Sequence, residues 1–93
     1  MIHCVLHDGE DTVAVVVVEG VTEGTAMTAW VMDDDRTLSL QARQDIPIGH
    51  KVALADLKKG DTIVKYGADI GKMVADAKKG EHVHVHNLKT KRW

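Results

Sequence analysis

The feature that most constrains this chain is an internal echo. "ADLKKGDTIV" begins at Ala55 and "ADAKKGEHVHV" begins at Ala75. An offset of 20 residues lays Asp56 on Asp76, Lys58 on Lys78, Lys59 on Lys79 and Gly60 on Gly80. Asp61 then falls on Glu81, and Ile63 on Val83. A looser copy runs earlier as "EGVTEGTAM". Each copy reads as a short turn or a single helical turn, closed by a glycine that can take positive φ and followed by a strand. A chain assembled from such units must be made of short strands and tight turns. The copies are too few and too unequal for a solenoid.

The rest of the chain supports an all-β fold. "IHCVL" is a first strand, and "HDGED" is a turn. "TVAVVVV" is β-branched and almost continuously apolar, which predicts a well-buried strand. "TAMTAWVM" is a third strand and "DDDR" a solvated turn. "TLSLQAR" alternates with period two and is half-buried. "DIPIGH", with the only proline, is extended or turning. In "KYGADIGKMV", Gly67 and Gly71 permit a tight turn or the close approach of another chain segment. The 93 residues fit one domain spanning residues 1–93.

Composition excludes several function classes. Formal charge is −2, and no basic patch is interleaved with aromatics, which argues against nucleic acid. The longest apolar run, "VAVVVV", is far too short to cross a bilayer. The start "MIHCVLHDGED" has no basic n-region and no apolar h-region, so a cytoplasmic location is expected. A lone Cys4 suits a reducing compartment and reads as a half-buried strand residue. No Ser/His/Asp or Cys/His nucleophile arrangement, phosphate loop or dinucleotide fingerprint is present.

Chemistry concentrates in "GEHVHVHN". On a strand, residues two apart share a face, about 6.6–7 Å apart. His82, His84 and His86 therefore point one way. Glu81, Val83, Val85 and Asn87 point the other, with the valines toward the core. Imidazoles at such spacing can converge on one divalent metal at about 2.0–2.2 Å, or serve as acid and base near neutral pH. The alternative is a polar edge-strand face that needs no ligand. His7 and His50 stand in turns, where either can complete a site or simply be solvated. Lys51 and Lys65 can bind a carboxylate or be solvated. Tyr66 is a core residue with its hydroxyl satisfied.

These residues also carry a resemblance. "GHKVALADLKKG" (Gly49–Gly60), "VKYGADIG" (Val64–Gly71) and "GEHVHVHN" (Gly80–Asn87) resemble the N-terminal module of the altronate and galactarate dehydratase family. "LHDGEDTVAV" is similar to its entry segment, with His7 at the family's histidine. The resemblance implies a SAF-type, β-clip fold and a lyase. Family members remove water from sugar acids and need a divalent metal such as iron. A sister branch, split into small and large chains, includes sulfolactate sulfo-lyase. The sugar-acid dehydratase is the first expectation, the sulfo-lyase the second, and a non-catalytic sugar-acid-binding module the third.

On this resemblance His84, His86 and His50 are the catalytic candidates. His84, His86, His82 and His7 are the metal-ligand candidates. Asn87, Lys51, Lys65 and Tyr66 are expected toward a small hydroxy-acid substrate. The fused dehydratases continue where this chain ends, which leads to the expectation of a small subunit with a large catalytic partner. Lys89, Lys91, Arg92 and Trp93 are then a docking tail, or else a frayed end. Self-association into a homo-oligomer stays open.

Overall fold

A computed structural model describes residues 1–65, 68–84 and 86–89. Nine strands follow in order: β1 (Cys4–Leu6), β2 (Val13–Val16), β3 (Ala26–Val31), β4 (Arg36–Gln41), β5 (Lys51–Ala53), β6 (Thr62–Lys65), β7 (Ala68–Met73), β8 (His82–Val83) and β9 (Leu88–Lys89). No helix occurs among the described residues, so the all-β expectation holds. One sheet has the order β4-β3-β1-β2-β5-β8 and the other β6-β7-β9. In the large sheet only the β1–β3 pair is parallel. Pairs joined by a tight turn must run antiparallel, whereas β3 reaches the far side of β1 only after a longer excursion.

Two cores account for the apolar start of the run at residues 13–18, while Val17 is exposed. Ala14 and Val16 of β2 pack with Cys4, Leu6, Met27, Val31, Ile46 and Val52. Val13, one residue away, packs on the other face with Ala53, Leu57, Ile63, Met73 and Val83. β5 divides in the same way, Val52 to one core and Ala53 to the other. Successive strand side chains point to opposite faces, so a strand buried on both sides loses its polar alternation. β2 and β5 are thus a wall shared by two clusters. Val64 ties the smaller sheet to this wall. Its carbonyl accepts from Thr12 N–H at 2.9 Å, and its N–H donates to Thr12 Oγ1 at 3.0 Å.

Two sequence expectations change here. Cys4 is fully buried rather than half-buried, because β1 is the inner strand between β2 and β3. The segment around Gly71 is no loop but strand β7, with Gly71 opposite Ile63 where the β6–β7 register shifts. A glycine at such a shift marks a bulge rather than a turn. Gly67 lies outside the described residues.

The echoed unit folds as read, and its copies pair. Leu57 and Ala77 exchange backbone hydrogen bonds at 2.6 and 2.8 Å. Lys59 N–H donates to Asp76 at 2.8 Å, and Lys79 N–H to Asp56 at 2.9 Å. The two copies therefore cap each other about a local two-fold. The loose copy at Val21 is paired likewise, through a bridge to Ile46 and a 2.9 Å bond from Glu23 N–H to Asp45. "DIPIGH" is thus a fourth copy. Its Gly49 takes φ 86°, beside 91° at Gly24, 93° at Gly60 and 90° at Gly80.

These glycines differ in what surrounds them. A Cβ at Gly60 meets open space, whereas one at Gly80 falls on the Gln41 carbonyl oxygen. Gly60→Ala is expected to cost only the left-handed backbone penalty, about 1–2 kcal/mol. Gly80→Ala should cost at least twice as much, because backbone must also move. Urea unfolding of the two variants checks this, and equal losses would contradict it.

Candidate functional site

The site follows from the β5–β8 register. Lys51 pairs with Val83 and Val52 with His82. Continued by one residue, the same antiparallel register sets His84 opposite His50. His50, Val52 and His82 then share one face. The closest ring contact is the one that register dictates: His50 and His84 stack with centroids 3.7 Å apart and planes 14° from parallel. His50 also lies diagonally from His82, and a 2.7 Å hydrogen bond joins His50 Nδ1 to His82 Nε2. The His82 and His86 rings are 4.9 Å apart and tilted by 39°. Four of the six histidines therefore form one cluster.

His82 and His84 share a face as expected, their rings 5.9 Å apart and 10° from parallel, but His86 does not join them along one strand. β8 ends at Val83, and the chain turns. Asn87 makes that turn: His84 N–H donates to Asn87 Oδ1 at 2.9 Å, and Asn87 Nδ2 donates to the His82 carbonyl at 2.9 Å. Asn87 is buried, and in this chain its amide is engaged in holding the histidines in place. Its carboxamide satisfies a donor and an acceptor that the broken strand leaves open. Val83 faces the core as expected, and Val85 lies outside the described residues.

Around the rings the charges that act are of one sign. Burial lowers the His82 pKa from its ordinary 6.5, and repulsion by His86, His50, His84 and Lys51 adds to it. His84 is lowered by burial first, then by His50, Lys51 and His86. Lys51 is itself lowered by burial and by Lys65 nearby. Near neutral pH the His82 and His84 imidazoles are uncharged and basic, with Lys51 nearby. Such a group of side chains can take up a proton, hydrogen-bond an anion, or ligate a metal. Beside it, a cleft of about 200 Å³ is lined by Gln44, Asp76, Glu81, His82, His86 and Asn87.

The other sequence candidates fall differently. His7 sits at the end of β1, where its Nδ1 is 3.4 Å from Asp8 and its N–H donates to Asp11 at 2.8 Å. Sheet register holds it two strands across and about three residues along from His50, roughly 14 Å away. Tyr66, Lys91, Arg92 and Trp93 lie outside the described residues. Cys4 is buried deep enough to push its thiol to about 11, which makes it unreactive. Sequence reasoning missed Gln44, whose Oε1 accepts from His82 N–H at 2.8 Å. No motif marks it, because the contact depends on tertiary pairing.

Imidazole nitrogens are suitable donors for a divalent metal. His84 Nδ1 is buried without a hydrogen-bond partner among the described residues. Convergence is missing, however. His50 Nδ1 and His82 Nε2 engage each other, and no three donors among the described residues are placed to hold one ion. The described part of this chain does not close a metal site by itself.

Comparison with known proteins adds an independent line. Residues 2–91 match the family model described as the altronate/galactarate dehydratase SAF domain. The chain is 57% identical over 89 residues to the (2R)-sulfolactate sulfo-lyase subunit alpha of Chromohalobacter salexigens, covering 96% of this chain and 95% of that protein. To the subunit of the same name from Paracoccus pantotrophus it is 61% identical over 67 residues, 72% of this chain and 100% of that sequence. The altronate dehydratase of Escherichia coli is 44% identical over 80 residues, 86% of this chain but 15% of that protein. No helix among the described residues is long and apolar enough to cross a membrane.

The lowered histidines predict a pH dependence of stability. Below the unfolded value of 6.5, the unfolded chain binds protons that folded His82 and His84 resist. Their contribution is therefore fully present above 6.5 and is lost as pH falls through the lowered folded values. The melting temperature should drop between about pH 7 and 5.5, and less steeply in His82→Gln/His84→Gln. An equal slope in parent and variant would assign the dependence elsewhere.

Proposed function

Because the chain belongs to the altronate/galactarate dehydratase SAF family, we propose that it is the small subunit of a two-component lyase that acts on (2R)-sulfolactate and releases sulfite. Support comes from the coverage of the relatives. The sulfo-lyase alpha subunits align along essentially their whole length, the altronate dehydratase along a small part of its own. This reverses the order expected from the sequence, where removal of water from a sugar acid stood first.

The observation that carries the reading is the stacked cluster of His50, His82, His84 and His86 beside Lys51. Sulfolactate carries a carboxylate and a sulfonate, two negative charges on three carbons. In the elimination, the C2–H bond breaks and its electron pair forms the C2–C3 double bond. The C3–S bond breaks and sulfite leaves with its electron pair. The enol product takes a proton at C3, loses the C2 hydroxyl proton and becomes pyruvate. A neutral imidazole can accept the C2 proton, because burial and like-charged neighbours keep it uncharged at neutral pH. The imidazolium so formed is then stabilised by the anionic substrate. Lys51 and Lys65 match the substrate's charge, and Asn87 positions the histidines.

A large subunit is part of the proposal, since the relatives are named as alpha subunits. A divalent metal of the iron type belongs to it too, with an imidazole of the cluster other than the one that takes the proton as this chain's donor and the other ligands from the partner. When bound it would supply Lewis-acid stabilisation of the developing enediolate. A cytoplasmic location belongs to the same reading.

Mixing this chain with its large subunit should release sulfite from (2R)-sulfolactate, while neither chain alone does. His84→Ala and His50→Ala should each lower turnover by about 10²–10⁴-fold, the usual contribution of a positioned acid or base. Water loss from altronate or galactarate, with no sulfite from sulfolactate, would return the assignment to the dehydratases.

A further inference from the structure

In three of the four turn copies, the closing side chain serves the turn itself. Thr25 Oγ1 accepts from Thr22 N–H at 3.1 Å, Asp61 from Lys58 N–H at 2.8 Å, and Glu81 from Lys78 N–H at 2.6 Å. His50 holds the same closing position in the fourth copy. Its backbone behaves like the others, with His50 N–H donating to the Pro47 carbonyl at 3.1 Å and Gly49 N–H to the Val16 carbonyl at 2.8 Å. Its side chain does not. The residue three before it is Pro47, which has no N–H to offer.

We propose that Pro47 is a positioning residue that keeps His50 available to the histidine cluster by deleting the backbone donor that captures its counterparts. An uncapped N–H in a turn attracts the nearest acceptor, and a net hydrogen bond of this kind decides between rotamers. A histidine can be that acceptor in this protein: His3 Nδ1 already takes the Thr28 N–H at 3.0 Å. With an N–H at position 47, His50 Nδ1 would face the same choice and leave His82. The turn itself tolerates proline, because in the sister turns the N–H at this position joins no backbone ladder and is satisfied by the turn's own closing side chain. The sequence carries this device in its single proline. The role in turnover rests on the proposed function, but the geometric claim does not.

The test compares the parent chain with Pro47→Ala by ¹⁵N NMR at neutral pH. In the parent, a through-hydrogen-bond coupling should join His50 Nδ1 and His82 Nε2. In the variant that coupling should vanish, and the new amide at position 47 should exchange with solvent as slowly as the Lys58 and Lys78 amides. Pro47→Lys copies the sister turns and gives the same reading if the alanine variant does not fold. Persistence of the coupling with a freely exchanging amide at that position overturns the proposal, as does absence of the coupling in the parent. Assay in the two-subunit complex separates the two ideas. Loss of coupling with loss of sulfite release, as in His50→Ala, supports both. Loss of coupling with unchanged sulfite release upholds the role of Pro47 and removes His50 from the chemistry.

Discussion

Everything in this fold hangs on one short turn meeting a second copy of itself. A turn leaves backbone donors and acceptors that a strand ladder would satisfy, and burial without partners is costly. Here Leu57 and Ala77 answer each other, as Val21 and Ile46 do in the other pair. An aspartate from one copy caps an amide of its mate in each pair. These junctions close the corners that the nine short strands cannot close, since strands of two to six residues have few ladder bonds of their own. The glycines at the corners are then fixed in kind by positive φ. Gly80 is fixed twice, because a backbone carbonyl from Gln41 occupies the space of its missing side chain.

The same turns put chemistry at the edge of the large sheet. β5 enters from the His50 turn and β8 from the Glu81 turn, and antiparallel pairing sets the start of β5 beside the end of β8. Antiparallel register then brings His50 against His84, and Asn87 bends the chain to bring His86 back over His82. Behind them, Val52 and Ala53 anchor β5 in both cores. A residue whose neighbours are packed on both faces has little room to shift, which is the condition for a precisely held side chain.

Much of this was legible in the sequence. The strands near residues 4–6, 13–16, 26–31 and 36–41 follow from β-branched and alternating patterns, and three turn copies from "KKG" and "TEG". The histidines were visible as a group, but their geometry was not. Alternation predicts one strand face, yet the strand stops at Val83 because Asn87 satisfies the groups a longer ladder would use. The fourth turn copy was hidden by chemistry. Aligning Gly49 on Gly60 and Gly80 sets Asp45 on Asp56 and Asp76, but proline and histidine replace the lysine and the acid. Gln44 reaches the site through a side-chain bond to the His82 amide, a tertiary contact that local pattern does not encode.

The cluster also explains why such a module suits a partnership. Burying imidazoles beside one another and beside Lys51 disfavours their protonation, so the folded chain resists charge where its own residues would otherwise take it up. His84 Nδ1 adds a buried nitrogen with nothing to bind among the described residues. The first feature lowers stability only as pH falls below 6.5, whereas the second lowers it at any pH. An arriving dianion removes the first opposition, because negative charge raises the affinity of the same imidazoles for a proton. A ligand or donor that meets the orphaned nitrogen removes the second. Anything that binds the folded form in this way stabilises it by mass action. On the proposed function, the resistance to protonation at His82 and His84 and the orphaned His84 nitrogen are what a substrate and a partner would relieve.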